Sequence, residues 1–159
     1  MELLWHELMN GLPDRQRLAV AIIRLVAATV LGAIVGLQRE RARKPAGLRT
    51  HMLVCLGTTL VVVACSGAGM TTDGLSRVIQ GIVTGIGFVG AGSILKLSQE
   101  REIKGLTTAA GLWMTAAIGI ATGLGSIGLA ILGTIFTVMV LALEGVEEAL
   151  EKSRKDRKV

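Results

Sequence analysis

The sequence contains few aromatic residues and almost no proline. It has two Trp, two Phe and no Tyr among 159 residues, and only two Pro. Proteins bind single-stranded nucleic acids largely by stacking bases on aromatic side chains, so we expect no nucleic-acid partner. Although glycine is frequent, the 21 Gly lie mainly inside apolar runs, which argues against a disordered chain.

Cysteine and histidine are also scarce. Cys55 and Cys65 lie ten residues apart in one apolar run. On a helix this separation is about 15 Å, too far for a disulfide bond. A single histidine such as His51 is more often an interfacial hydrogen-bonding residue than a metal ligand. We therefore expect no metal site and no cofactor.

The apolar runs contain no acidic residues. Between about Leu18 and Leu143, every Asp and Glu falls in a connecting segment. Mg²⁺ prefers oxygen ligands that usually include carboxylates, so a dedicated Mg²⁺ conduit is disfavoured. The same absence argues against a proton pump. Neither a nucleophile–base arrangement nor a Walker motif is apparent, so the sequence predicts no catalytic residues and no enzyme.

The charged residues cluster, and five stretches of about 20 residues between the clusters are mostly apolar. Such a stretch is long enough to cross roughly 30 Å of hydrocarbon as a helix. The sequence therefore predicts an all-α fold, a polytopic membrane helix bundle with about five transmembrane helices. The predicted spans are Leu18–Leu37, Leu48–Ser66, Val78–Leu95, Leu106–Thr122 and Ile127–Leu143.

Three regions are predicted. Residues 1–13 form an interfacial amphipathic segment anchored by Trp5. Residues 14–143 form the transmembrane domain, whose first helix Asp14 caps. Residues 144–159 form a charged cytoplasmic tail that continues as a helix.

The basic residues predict the orientation of the bundle. Thirteen Lys and Arg fall in the segments 38–49, 96–104 and 144–159, whereas Arg15, Arg17 and Arg77 lie at the other end. By the positive-inside rule the N-terminus is outside and the C-terminus inside. Arg24 is embedded in the first span, and it either snorkels to the headgroups or pairs inside the bundle.

A weak internal repeat accompanies this arrangement. A shift of 58 residues aligns Gly32-Ala33 with Gly90-Ala91, and the Gly-Leu-x-Thr segments that begin at Gly47 and Gly105. The two halves then have the same topology, related by an axis along the membrane normal.

Two groups of residues are candidates for function. The first is a cytoplasmic anion or partner site at the starts of the second and fourth spans, where free N–H groups and basic side chains attract anions. Ordinary flanking charge with Thr capping is the alternative, and Glu40 and Arg49 also have the option of pairing with each other. The candidates are Arg39, Glu40, Arg49, Thr50, His51, Lys104, Thr107 and Thr108.

The second group is the glycine-rich third span. Its glycines favour close helix packing, or alternatively a transport path along a broken helix. This group comprises Gly81, Gly85, Gly87, Gly90 and Gly92, together with Trp113 in the fourth span.

Three motifs resemble the MgtC/SapB family of bacterial inner-membrane proteins. They are Gly36-Leu-Gln-Arg-Glu40 followed by Ala46-Gly-Leu-Arg-Thr-His51, then Gly85-Ile-Gly-Phe-Val-Gly-Ala-Gly92, then Gly105-Leu-Thr-Thr-Ala-Ala110 with Trp113. The resemblance covers residues 20–143. Gln38 stands where many relatives have Glu, which removes one anionic ligand. Larger members carry a soluble C-terminal domain, and we expect this chain to be a short form without it.

The resemblance implies a multi-pass protein of the bacterial inner (cell) membrane with a role in magnesium homeostasis. It also implies contact with membrane lipid and with other membrane proteins, such as ATP synthase or transport systems. We expect a non-enzymatic protein, linked to magnesium and phosphate balance, that acts by binding membrane partners and forms a homodimer. The alternative is an ion or small-solute transporter that uses the third span.

Overall fold

The computed structural model describes residues 1–2, 14–97 and 102–156, so the segment predicted at residues 3–13 lies outside the described residues. Five helices are long and apolar enough to cross a membrane, which confirms the predicted all-α membrane helix bundle. They are α1 (Arg15–Arg41), α2 (Leu48–Gly67), α3 (Thr72–Gly92), α4 (Leu106–Gly123) and α5 (Ile127–Asp156).

Local capping sets the helix starts. The Asp14 side chain accepts the Arg17 backbone N–H at 2.8 Å, so the predicted cap of α1 is confirmed. The Thr71 hydroxyl accepts the Gly74 N–H at 3.2 Å. That cap starts α3 six residues before the predicted Val78, so the predicted start was wrong. Helix α5 runs on to Asp156, as the predicted tail helix requires.

The second charged loop forms a short antiparallel hairpin that the sequence analysis did not predict. Strands β1 (Leu95–Leu97) and β2 (Glu102–Lys104) pair Leu95 with Lys104 and Leu97 with Glu102. Leu95 therefore belongs to β1, and the third helix ends at Gly92. Gly105 follows with φ +97°, and a Cβ there would overlap the Ser93 carbonyl oxygen, so the return into α4 requires glycine.

Helix α4 lies at the centre of the bundle and α3 at its edge. Half of the α4 span is buried, against 11% for α3. Helices α1 and α2 pack most extensively, because Gly32 and Gly36 admit the α2 backbone, while α3 contacts α4 and, to a lesser extent, α2. The core includes Ala28, Val35, Cys55 and Ile118.

The two helical hairpins α1–α2 and α3–α4 cross at equivalent residues. A Cβ on Gly32 would lie 2.7 Å from the His51 carbonyl oxygen, and a Cβ on Gly90 would lie 3.5 Å from the Ala109 Cβ. Both residues of the second pair lie 58 positions after those of the first, which supports the 58-residue repeat.

Candidate functional site

The end of the bundle that contains the connecting segments 42–47 and 93–105 is called here the basic end. At this end Arg39 joins three helices. It lies in the last turn of α1, and its side chain is 0% exposed. Its Nη1 donates to Glu144 Oε2 on α5 at 2.7 Å, and its Nη2 donates to Thr108 Oγ1 on α4 at 3.3 Å. Lys44 Nζ lies 2.9 Å from the other Glu144 oxygen.

This ion cluster holds the basic end together. One carboxylate binds two cations, and the Arg39 charge is removed from solvent. A buried charge is tolerated when it is paired and hydrogen-bonded, and removing its partner is costly. Arg39 therefore has a structural position inside the bundle, and it fills the space beside the first turn of α4.

Glu40 caps the second helix. Its Oε2 accepts the Leu48 N–H at 2.9 Å, which satisfies one of the free N–H groups at the start of α2. A negative charge is also favourable at a helix N-terminus. In the described part of the chain Arg49 forms no ion pair with Glu40, and its side chain is exposed.

His51 is fully buried one turn into α2 and contacts α4. Its Nδ1 lies 2.7 Å from Thr115 Oγ1, and that hydroxyl donates to the Gly111 carbonyl at 2.8 Å. The Thr115 hydroxyl therefore bridges the imidazole of α2 and the backbone of α4. Nε2 has no partner within the described residues. His51 thus links two helices as a hydrogen-bonding residue.

Helices α2 and α4 are parallel and shifted along each other. His51 meets Thr115, and a Cβ on Gly119 would contact Cys55 and Thr58. The paired residues lie 64 positions apart, so Leu48 is level with Leu112. Helix α4 begins at Leu106, six residues before Leu112. Its start therefore lies about 9 Å farther out toward the basic end than the start of α2. The two helix starts lie at different depths.

The glycines of α3 mostly face away from the rest of the chain. A Cβ on Gly90 would lie 3.5 Å from Ala109, and one on Gly74 would contact Met70, but no described atom lies within 4 Å of a Cβ built on the other four. Helix α3 is continuous through all of them. Trp113 on α4 is 44% exposed. The exposed glycines are Gly81, Gly85, Gly87 and Gly92.

A model of the MgtC family matches residues 25–149. The chain belongs to the MgtC family. The family resemblance seen in the three sequence motifs is thereby confirmed.

Several MgtC-family proteins are similar to this chain. SrpB of Synechococcus elongatus is 42% identical over 130 residues, which cover 75% of this chain and 71% of SrpB. "Putative magnesium transporter YhiD" of Escherichia coli K12 is 42% identical over 127 residues, 76% of this chain and 58% of YhiD. Protein MgtC of Salmonella typhimurium is 40% identical over 124 residues, 77% of this chain and 51% of MgtC. The chain thus spans little more than half of YhiD and MgtC, and no solved structure matches.

The structure divides the predicted anion or partner site of this MgtC-family chain into two groups. Three of its residues are buried in the bundle and Glu40 is a helix cap, whereas four others face outward to different degrees. The buried residues are Arg39, His51 and Thr108; Arg49, Lys104 and Thr107 are exposed, and Thr50 is half-buried.

Sequence reasoning missed the partners of the buried group. Glu144 is the acid that directly follows the fifth apolar run, so its place at the basic end was a usable signal. Thr115 and Lys44 gave no such signal, since Thr is common in membrane helices and Lys44 is one cation of a dense basic segment.

Arg24 lies at the opposite end of the bundle and binds the end of α4. Its Nη1 donates to the Gly123 carbonyl at 2.7 Å, and its guanidinium packs on the turn at Gly125. The last carbonyls of a helix lack intrahelical partners and attract cations. Arg24 is thus half-buried and hydrogen-bonded to the last turn of α4.

The Arg24 contact is expected to stabilise the bundle. Replacing Arg24 with Leu leaves the Gly123 carbonyl without its charged donor, and we expect a loss of about 2 kcal/mol in the free energy of unfolding. Thermal unfolding of the protein in detergent measures the effect. Arg17→Leu is the control, because the Arg17–Asp14 pair is exposed and is expected to contribute less than about 1 kcal/mol. Equal melting temperatures for both variants would refute the capping role.

Proposed function

We propose that this chain is a non-enzymatic membrane protein of the bacterial inner membrane that contributes to magnesium and phosphate balance by binding membrane partners. Membership of the MgtC family and the similarity to YhiD, a putative magnesium transporter, support the link to magnesium. The five apolar helices support a multi-pass protein. The proposed orientation places the basic end in the cytoplasm, in accord with the positive-inside rule.

The close packing of α2 against α4 is the observation that most favours partner binding over transport. A Cβ on Gly119 would overlap the Thr58 hydroxyl, and one on Gly123 would lie 2.7 Å from Val62 Cβ. The Thr59 hydroxyl donates to the Gly119 carbonyl at 2.7 Å. A solute path needs space, whereas these close contacts leave none between α2 and α4.

The exposed cations of the basic end provide a surface for an anionic partner. Arg41, Arg43 and Arg49 are exposed, and so is Lys104 next to α4. Arginine binds carboxylates and phosphates in a bidentate geometry, so acidic segments of membrane proteins and lipid headgroups both fit this surface. ATP synthase and transport systems, implied by the family resemblance, are the protein partners proposed.

Exchanging the exposed arginines tests the partner surface. In a bacterium that lacks its own family member and grows poorly in low magnesium, we expect the native chain to restore growth. The triple variant Arg41→Gln/Arg43→Gln/Arg49→Gln should accumulate normally in the membrane and fail to restore growth. The matched control removes three exposed charges at the opposite end, as Arg15→Gln/Arg17→Gln/Arg77→Gln. Full growth with the first triple variant would refute the proposal.

A flux measurement separates partner binding from the alternative, a transporter of ions or small solutes that uses α3. The purified chain is reconstituted in liposomes that contain a Mg²⁺-sensitive dye. We expect the rate of Mg²⁺ entry to equal that of empty liposomes. A faster rate that is lost on replacing Gly85 or Gly87 with a bulky residue would favour transport.

A further inference from the structure

Helix α3 carries a polar stripe on its outward face. Ser76, Gln80 and Thr84 are exposed at spacings of four residues, and Gly87 and Ala91 extend the same line. These five residues are called here the α3 stripe. The spacing of four, three and four residues from Gln80 onward is that of a helix–helix seam. The three polar residues of the α3 stripe line a groove of about 460 Å³ that reaches Leu124.

Gln80 is costly to leave facing lipid. It lies eight residues, about 12 Å, inside the start of α3. Its carboxamide makes no hydrogen bond to any residue that the structure describes. An amide without a hydrogen-bonding partner costs several kcal/mol in an apolar medium. By contrast, Thr59 and Thr115 inside the bundle are both hydrogen-bonded.

The internal repeat supplies a comparison within the same chain. The positions of α1 that correspond to Gln80 and Thr84 under the 58-residue shift are Ile22 and Val26. They are 51% and 57% exposed, as expected for side chains that face lipid. The equivalent face of α3 has polar residues in their place, so it faces a protein surface instead of lipid.

A second copy of the chain fits this surface. Two copies in one membrane have the same orientation, so a two-fold axis along the membrane normal sets identical residues of α3 opposite each other. A carboxamide has both donors and an acceptor, so Gln80 is complementary to itself across such an axis. Gly87 and Ala91 allow the two backbones to approach closely.

We propose that two copies of this chain associate through α3 against α3, with the two Gln80 carboxamides hydrogen-bonded to each other across the two-fold axis. This inference does not depend on the proposed role in magnesium balance. It concerns the assembly of the purified protein and is measured without a cell or a solute.

The dissociation constant of the dimer tests the role of Gln80. It is measured by energy transfer between labelled copies as the full chain is diluted in lipid vesicles. Hydrogen bonds between membrane helices contribute about 1–2 kcal/mol, so Gln80→Leu should weaken the dimer by about tenfold. Ile22→Leu, at the equivalent position of α1, should leave the constant unchanged. A monomer at every lipid dilution would overturn the proposal, and so would a Gln80→Leu dimer as tight as the native one.

Cross-linking locates the interface independently. In a Cys65→Ser background, Ala91→Cys should form a disulfide-linked dimer on oxidation in the membrane, because residue 91 lies on the α3 stripe. Val26→Cys on α1 should not. Gly87→Ile should abolish the Ala91→Cys cross-link without reducing the amount of folded chain, since a Cβ on Gly87 meets no atom within 4 Å in the part of the chain that the structure describes. Equal cross-linking from residues 26 and 91 would overturn the assignment, as would cross-linking of residue 91 to another protein while the chain stays monomeric.

Discussion

Replacing Gly119 with valine is expected to prevent the chain from accumulating in the membrane. Gly119 lies where α4 crosses α2, and even a single Cβ there would overlap the Thr58 hydroxyl and press on the Cys55 backbone. Backbone atoms cannot rotate away as a side chain does, so the two helices must separate. The separation also breaks the bond from Thr59 to the Gly119 carbonyl.

The expected loss in the free energy of unfolding is large compared with the total stability of the bundle. Overpacking a core costs about 1–3 kcal/mol and more where the obstacle is backbone, and a domain has only about 5–15 kcal/mol to lose. Gly57→Val is the matched control, because Gly57 lies in α2 and no atom of the described residues is within 4 Å of its Cβ position. The amount of monodisperse protein after detergent extraction provides the comparison. Similar yields for the two variants would show that α2 and α4 are not packed as described.

Replacing Glu144 with alanine is expected to cost about 3 kcal/mol in the free energy of unfolding. The change leaves the Arg39 guanidinium buried without its carboxylate, and an uncompensated buried charge is strongly destabilising. Lys44 loses its partner oxygen on the same residue. Unfolding in a denaturing detergent, followed by circular dichroism, measures the effect.

Two variants test whether the destabilisation by Glu144→Ala comes from the stranded Arg39 charge or from the removal of any carboxylate. Asp73→Ala breaks the exposed pair with Arg77, which should change stability by less than about 1 kcal/mol. Arg39→Met combined with Glu144→Ala should be more stable than Glu144→Ala alone, because it removes the stranded charge and keeps most of the side-chain volume. A double variant less stable than either single one would contradict the buried-charge explanation.

The helices were predictable from the sequence because each apolar run has about the length that a helix needs to cross hydrocarbon. The start of α3 was misplaced because the cap at Thr71 begins the helix in a mostly polar segment, residues 72–77, which lowers the mean hydropathy there. The β1–β2 hairpin was missed because its residues carry charges typical of a loop. The orientation of the bundle in the membrane stays a prediction.

The candidate site was predictable only in part. The segments around Arg39 and Thr108 do meet at the basic end, as their shared side of the membrane suggested. Which side chains face inward depends on the rotation of each helix and on the 64-residue register between α2 and α4. Neither quantity is encoded in charge or hydropathy, so the burial of Arg39 and His51 was not predictable.

Helix α5 continues past its membrane span at the basic end. It runs unbroken for 30 residues, of which the first 18 suffice for the apolar span. The remaining 12 residues extend the same rod by about 18 Å. Glu144 is the last residue of the apolar span, and Arg39 of α1 donates a hydrogen bond to its carboxylate. Residues 145–156 are therefore connected, without a break in the helix, to the ion cluster between α1, α4 and α5.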